Sequence, residues 1–249
     1  MSYPQCVRIP ELAPAHFVFE AFAYVVGFAL YRRNRKRDGD ILPQTERNSV
    51  IVATILGAAI GSKILGWLED PAYLIHGLAA IWPGGKTIVG GLLGGTIAVE
   101  FEKRRLGIAA RTGDLFAIPI AIGIAVGRIG CFFGGLDDHT YGSPTSVPWA
   151  VDFGDGIPRH PTQLYEIAFL LILAGVLNHL RTLRLASGDR YRIFLFSYLS
   201  WRFAIDFLNP EPTFAGLSSI QWCCLLGVLW YSRDIARMVS NRAGVYANG

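Results

Sequence analysis

The chain has 249 residues, 52% of them in the AVILMFWYC set and 17% charged, and its mean hydropathy of +0.36 lies above the globular norm. A soluble domain of this size would spread charge over its whole surface, whereas here charge comes in short clusters between long apolar runs. The net charge of +4 is small, and its basic residues are not gathered in one stripe mixed with aromatics, which speaks against a nucleic-acid partner.

Seven apolar runs are read as spans of a bilayer, where a helix needs roughly 20 residues, or about 17 with local thinning. In chain order they cover 15–31, 48–67, 87–101, 114–133, 162–180, 193–208 and 217–232. The fold class is therefore all-α: a polytopic membrane protein, one domain over 1–249. The first run lacks the basic flank and small-residue cleavage site of a signal peptide and is expected to remain as an anchor. The third is short and glycine-rich, and is read as a tilted or partly re-entrant segment.

Orientation follows the bias of Lys and Arg in short loops. The segments after the first, third, fifth and seventh runs, with Arg47 before the second, hold 17 of the 23 basic residues, among them Arg184 and Arg242. The opposite loops keep Arg8, Lys86 and Arg159. This predicts the N-terminus outside and the C-terminus in the cytoplasm. The longest outward loop, about 134–161, carries Asp137, Asp138, His139, Tyr141, Trp149, Asp152, Asp155, Arg159 and His160, a density of polar groups that marks it for function.

Glycines recur at 57 and 61, at 90, 91, 94 and 95, and at 123, 127, 130 and 134. Such spacing lets helices pack closely, and it also lets backbone approach a headgroup. Cysteines at 6, 131, 223 and 224 show no C-x-x-C and no zinc-ligand spacing, so no disulfide framework, metal site or organic cofactor is expected.

Charge inside a span is expensive: an arginine at the bilayer centre costs roughly 2.5 to 3.5 kcal/mol on insertion scales. Arg128 sits among Gly127, Gly130 and Gly134 near the outward end of the fourth run, where a guanidinium can hold a phosphate by two parallel hydrogen bonds. The alternative is snorkelling, or pairing with a buried carboxylate. Arg202 lies four residues from both Tyr198 and Asp206, so all three share one helical face and an Arg202–Asp206 pair would reduce the cost of burial. Glu20, on the face of Tyr24, is a candidate base or the partner of an arginine. Lys63 can reach the outer interface.

The run RHPTQLYE, Arg159–Glu166, resembles the R-H-P-S-Q-L-Y-E of bacterial prolipoprotein diacylglyceryl transferases. In the family's order, VGGLLGG at 89–95 resembles H-G-G-L-x-G, GRIGCFF at 127–133 resembles G-R-x-G-N-F, and YLSWRFAIDFL at 198–208 resembles Y-x-x-x-R-x-x-x-E-F. The resemblance implies an enzyme of the bacterial inner membrane. Such an enzyme takes phosphatidylglycerol, transfers its diacylglyceryl group to a lipobox cysteine of a prolipoprotein, and releases glycerol phosphate on the periplasmic side. It must bind the phosphate and help deprotonate the thiol. By the same resemblance Arg128 and Arg202 grip the phosphate. Tyr198, Gly90, Gly91, Gly127, Arg159, His160, Gln163, Tyr165, Glu166 and Asp206 line the donor site.

The departures from the family pattern fall on the other half of the reaction. Val89 replaces the histidine before G-G-L, Cys131 replaces the asparagine of G-R-x-G-N, Glu20 replaces a tyrosine, and Asn209 stands where an arginine is usual. Either the acid–base role has moved to Glu20, Asp137, Asp138 or His139, or the acceptor is another periplasmic molecule. Cys131 is either a nucleophile or a packing residue, and His160 either orients its loop or bonds a headgroup. A non-catalytic phospholipid-binding protein on the same fold is the rival reading. A transporter would need matched interrupted helices in two halves of the chain, which this sequence lacks.

Overall fold

A computed structural model describes residues 15–69, 86–183, 185–209 and 214–247; Cys6, Arg8 and Arg184 lie outside them, as does the side chain of Arg242. Seven α-helices form among these residues: α1 Ala15–Asp38, α2 Gln44–Glu69, α3 Ile88–Arg105, α4 Ala117–Gly134, α5 Thr162–His179, α6 Asp189–Ile205 and α7 Ser219–Ala247. Each contains one of the apolar runs or most of it. α1, α6 and α7 extend beyond those runs through polar sequence, because intrahelical hydrogen bonds continue as readily in water as in lipid. α3 is a regular helix rather than an interrupted one. Thr87 caps it, its side chain accepting from the Gly90 N–H at 3.2 Å. By length and composition, three helical stretches among the described residues can cross a membrane: Gln44–Glu69, Ala117–Asp138 and Thr162–Thr182.

The chain divides into two compact units, one of residues 1–39, 113–194 and 207–210, the other of 40–112, 195–206 and 211–249. In the first, α1 packs along α4, and α4 along α5. Phe19 stacks on Phe133 with ring centroids 5.7 Å apart, and Tyr31 on Phe116 at 4.7 Å. One end of this unit is tied by charge. Asp38 meets Arg181 at 3.3 Å and Arg190 at 3.6 Å, and Asp114 accepts from the backbone N–H groups of Gly188 and Tyr191. The other end carries the polar loop, in which Val151–Asp152 pairs antiparallel with Pro158–Arg159. Gly142 N–H donates to the His160 carbonyl at 2.9 Å and His160 N–H to the Ser143 carbonyl at 3.1 Å, so the loop is fixed to the start of α5.

The second unit is organised by glycine. α2 and α3 lie so close that a Cβ at Gly61 would collide with the Gly90 carbonyl oxygen, and one at Gly94 with that of Gly57. Two small-xxx-small faces thus meet backbone to backbone. Arg47, fully buried, is held by Asp40, and Glu102 by Ser49 and Arg105.

Two outcomes are expected. Gly94→Ala should force α2 and α3 apart and lower stability by about 1–3 kcal/mol, read as a drop in the detergent-solubilised melting temperature; an unchanged melting temperature would refute backbone contact. In the polar loop, Arg159 grips Asp155 with both guanidinium nitrogens at 2.7 Å and holds that carboxyl below its ordinary range. A depressed carboxyl favours the fold above its unfolded pKa, and this contribution is lost as pH falls through the folded one. Arg159→Gln should therefore raise the Asp155 titration midpoint toward about 3.9, measured by carboxyl-labelled NMR; an unmoved midpoint would show the pair to be inert.

Candidate active site

The site in the first unit begins with an arginine that the sequence puts in an apolar helix. Arg128 lies on the last turns of α4, buried, with Nη2 at 2.8 Å from Oε2 of Glu166. Glu166 comes from the first turns of α5 and is also buried, as is Gln163 one turn earlier on the same face. The carboxylate offsets the desolvation of the guanidinium and fixes its plane. A guanidinium has five N–H donors in a rigid fork, more than one carboxylate takes, so the same group can serve an anionic ligand. Its Nη1 also reaches Sγ of Cys131 at 3.9 Å, one turn on.

Cys131 opens a second group of side chains. His16, in the first turn of α1, places Nδ1 at 2.8 Å from Oδ1 of Asp138, and ligand atoms of His16, Cys131 and Asp138 all lie within 4.8 Å of one another. Asp138 is held from the far side by a chain of donors. Thr140 Oγ1 donates to its Oδ2 at 2.6 Å, Gln163 Nε2 donates to Thr140 Oγ1 at 3.2 Å, and Thr162 Oγ1 donates to the Thr140 carbonyl at 2.6 Å. Glu20 stands one turn along α1, with Oε2 at 3.8 Å from His16 Nε2, and accepts from Tyr24 at 3.4 Å.

Small residues make this approach possible. A Cβ on Gly130 would sit 2.8 Å from the Phe19 Cβ and 3.2 Å from the His16 Cα, and a Cβ on Gly134 would sit 3.0 Å from that of Asp138. α1 and the turn after α4 therefore close on the Cys131 face because residues 130 and 134 lack side chains.

Of the outward-loop candidates, Asp138 joins the cluster, while its neighbours Asp137 and His139 are exposed; His139 takes a left-handed turn conformation at φ 53°. Arg159 is bound to Asp155 and lies over the Tyr141 ring at 4.9 Å. His160 Nδ1 is 3.1 Å from the Tyr165 hydroxyl, which accepts from Trp149 Nε1 at 2.6 Å. These three groups brace the loop. In the second unit, Arg202 pairs with Asp206 at 3.0 Å, Ser218 Oγ donates to the other Asp206 oxygen at 2.5 Å, and Tyr198 is fully buried. Val89 is buried beside Gly90 in α3, and Gly91 faces α2. Gly127, on α4, has open space where a Cβ would lie.

The role of His16 escapes sequence reasoning because it belongs to none of the motifs; its one signal is the His16–Glu20 spacing on one helical face. The His–Cys–Asp grouping is invisible to spacing rules, since its members come from α1, α4 and the turn beyond.

A family model described as prolipoprotein diacylglyceryl transferase matches residues 14–232. Relatives carrying the name phosphatidylglycerol-prolipoprotein diacylglyceryl transferase include one from Bordetella parapertussis, 33% identical over 92% of this chain and 94% of its own length. Another, from Wolbachia pipientis of Culex pipiens, is 30% identical over 92% and 88%, and one from Vibrio atlanticus is 31% identical over 83% and 79%. With a match that takes in all seven helices up to the middle of α7, the chain belongs to the prolipoprotein diacylglyceryl transferase family.

Proposed function

We propose that this protein transfers the diacylglyceryl group of phosphatidylglycerol to the cysteine thiol of a prolipoprotein, on the outer face of the bacterial inner membrane. The observation that carries the reading is the buried Arg128–Glu166 pair. It falls within two motifs that match the family, in a chain whose relatives are named for this reaction over most of their length. The clustering of basic residues supports seven spans with the N-terminus outside and the C-terminus in the cytoplasm.

In this reaction the thiolate sulfur attacks the glycerol carbon that bears the phosphate. An S–C bond forms, the C–O bond breaks, and the electron pair leaves on glycerol phosphate. Negative charge grows on the phosphate oxygens, and Arg128, oriented by Glu166, is the group that meets it. The guanidinium is already desolvated and aimed, so little reorganisation accompanies the charge shift. Gln163, Tyr165, His160 and Arg159 hold the loop and the start of α5 that carry Glu166. Arg202 matches the family's second arginine, and Asp206, with Ser218, holds it as Glu166 holds Arg128.

The test follows label from headgroup-labelled and acyl-labelled phosphatidylglycerol, with a lipobox peptide as acceptor. Wild-type protein should place acyl label on the peptide. Arg128→Lys keeps a cation for Glu166 but loses the planar fork, and should reduce transfer by about 10²-fold while leaving membrane insertion intact. Unchanged transfer in that variant would sink the phosphate role of Arg128. Label appearing on another periplasmic component, with none on the peptide, would mean that the acceptor has changed, and bound lipid with no transfer at all would mean a non-catalytic member.

A further inference from the structure

The family histidine before G-G-L is Val89 here, so activation of the acceptor thiol needs another agent. The side chains at the outward end of α1 and α4 supply a chemistry that the family motif does not contain. His16, Cys131 and Asp138 offer one nitrogen, one sulfur and one oxygen within 4.8 Å of one another. Imidazole, thiolate and carboxylate together are the ligand set of a borderline-soft divalent ion, zinc above all, and three protein ligands are the number that leaves a fourth tetrahedral position open.

Details of the cluster point the same way. His16 Nδ1 lies 2.8 Å from an Asp138 oxygen, and a metal ion would take the place of the proton held between them. The other imidazole nitrogen, Nε2, has the Glu20 carboxylate at 3.8 Å, and the second Asp138 oxygen accepts from Thr140. Outer carboxylates and hydroxyls of this kind orient metal ligands. Gly130 and Gly134 admit His16 and Asp138 to the Cys131 face, so the approach is built into the backbone.

We propose that His16, Cys131 and Asp138 bind one zinc ion whose open position takes the acceptor thiol as a thiolate, beside the phosphate site at Arg128. The inference rests on the transferase reading for the identity of the thiol; the metal site itself does not. Coordination releases the thiol proton to water at the interface. The metal-bound sulfur then attacks the glycerol carbon, forming the S–C bond as the C–O bond to phosphate breaks and its electron pair departs with glycerol phosphate. No electron is gained or lost by the metal.

The experiment strips the full-length detergent-solubilised protein with a chelator and titrates it with cobalt(II), whose thiolate charge-transfer and visible bands report sulfur ligation and tetrahedral geometry. Wild type should take up one cobalt per chain with a thiolate band, and a lipobox peptide should strengthen that band as a second sulfur binds. Cys131→Ser and His16→Ala should lose the band. His16 is partly exposed in the first turn of α1, so its variant keeps the test decisive should Cys131→Ser not fold. Glu20→Gln should weaken cobalt binding by about 10- to 100-fold. Wild type binding no more cobalt than His16→Ala would overturn the site, and a peptide that leaves the spectrum unchanged would overturn thiol activation. A full cobalt spectrum that responds to the peptide, in protein that moves no label from phosphatidylglycerol, would uphold the metal site and overturn the transferase reading instead.

Discussion

The arrangement of the first unit follows from the burial of one guanidinium. Arg128 is the one charged residue in its helix, and a buried positive charge without a partner would be several kcal/mol uphill. Glu166 is that partner, and its position dictates much else. To bring Glu166 to Arg128, α5 must begin just outside the apolar layer, and the polar loop must return to deliver it. Gly142 and Thr145 donate to the carbonyls of His160 and Pro158, and His160 donates to the Ser143 carbonyl, which holds that return in place. Because such a pair seldom exceeds in stability what apolar residues would give, its retention argues for a use of the charge rather than for stability alone.

Backbone proximity is the second constraint, and the two units meet it alike. In α2 and α3 the glycines at 57, 61, 90 and 94 let carbonyl groups approach where side chains would collide. On α4 the glycines at 130 and 134 do the same, admitting the α1 face at Phe19 and His16 and the side chain of Asp138. One residue type therefore serves packing in one place and chemistry in another, which explains why glycine spacing alone left both readings open.

The helices were legible because apolar runs of bilayer length have few alternative explanations. Their ends were less so, since α6 and α7 continue through polar sequence where hydropathy carries no signal. Within the site, Arg128, Glu166 and the Arg202–Asp206 pair were legible as charges in apolar or motif-rich surroundings. The partner of Arg128 was not, because Glu166 lies 38 positions away across a loop whose path only the fold sets. Of the residues Asp137, Asp138 and His139, sequence offered no means to tell which turns inward; the 3-10 turn after Gly134 and the left-handed His139 decide it in favour of Asp138. His16 carried no motif, and its proximity to Cys131 is purely tertiary.

The departures at 89 and 131 fall in different units of the chain and differ in kind. Val89 is buried, and the change there puts an apolar side chain where the family pattern has a titratable one. At 131 a sulfur stands within reach of Arg128, His16 and Asp138, where an amide would offer a donor and an acceptor but no anionic ligand. The Arg128 guanidinium reaches this sulfur at 3.9 Å, and the His16 imidazole belongs to the same group of side chains. The chain thus keeps the buried Arg128–Glu166 pair while residues around it depart from the family pattern.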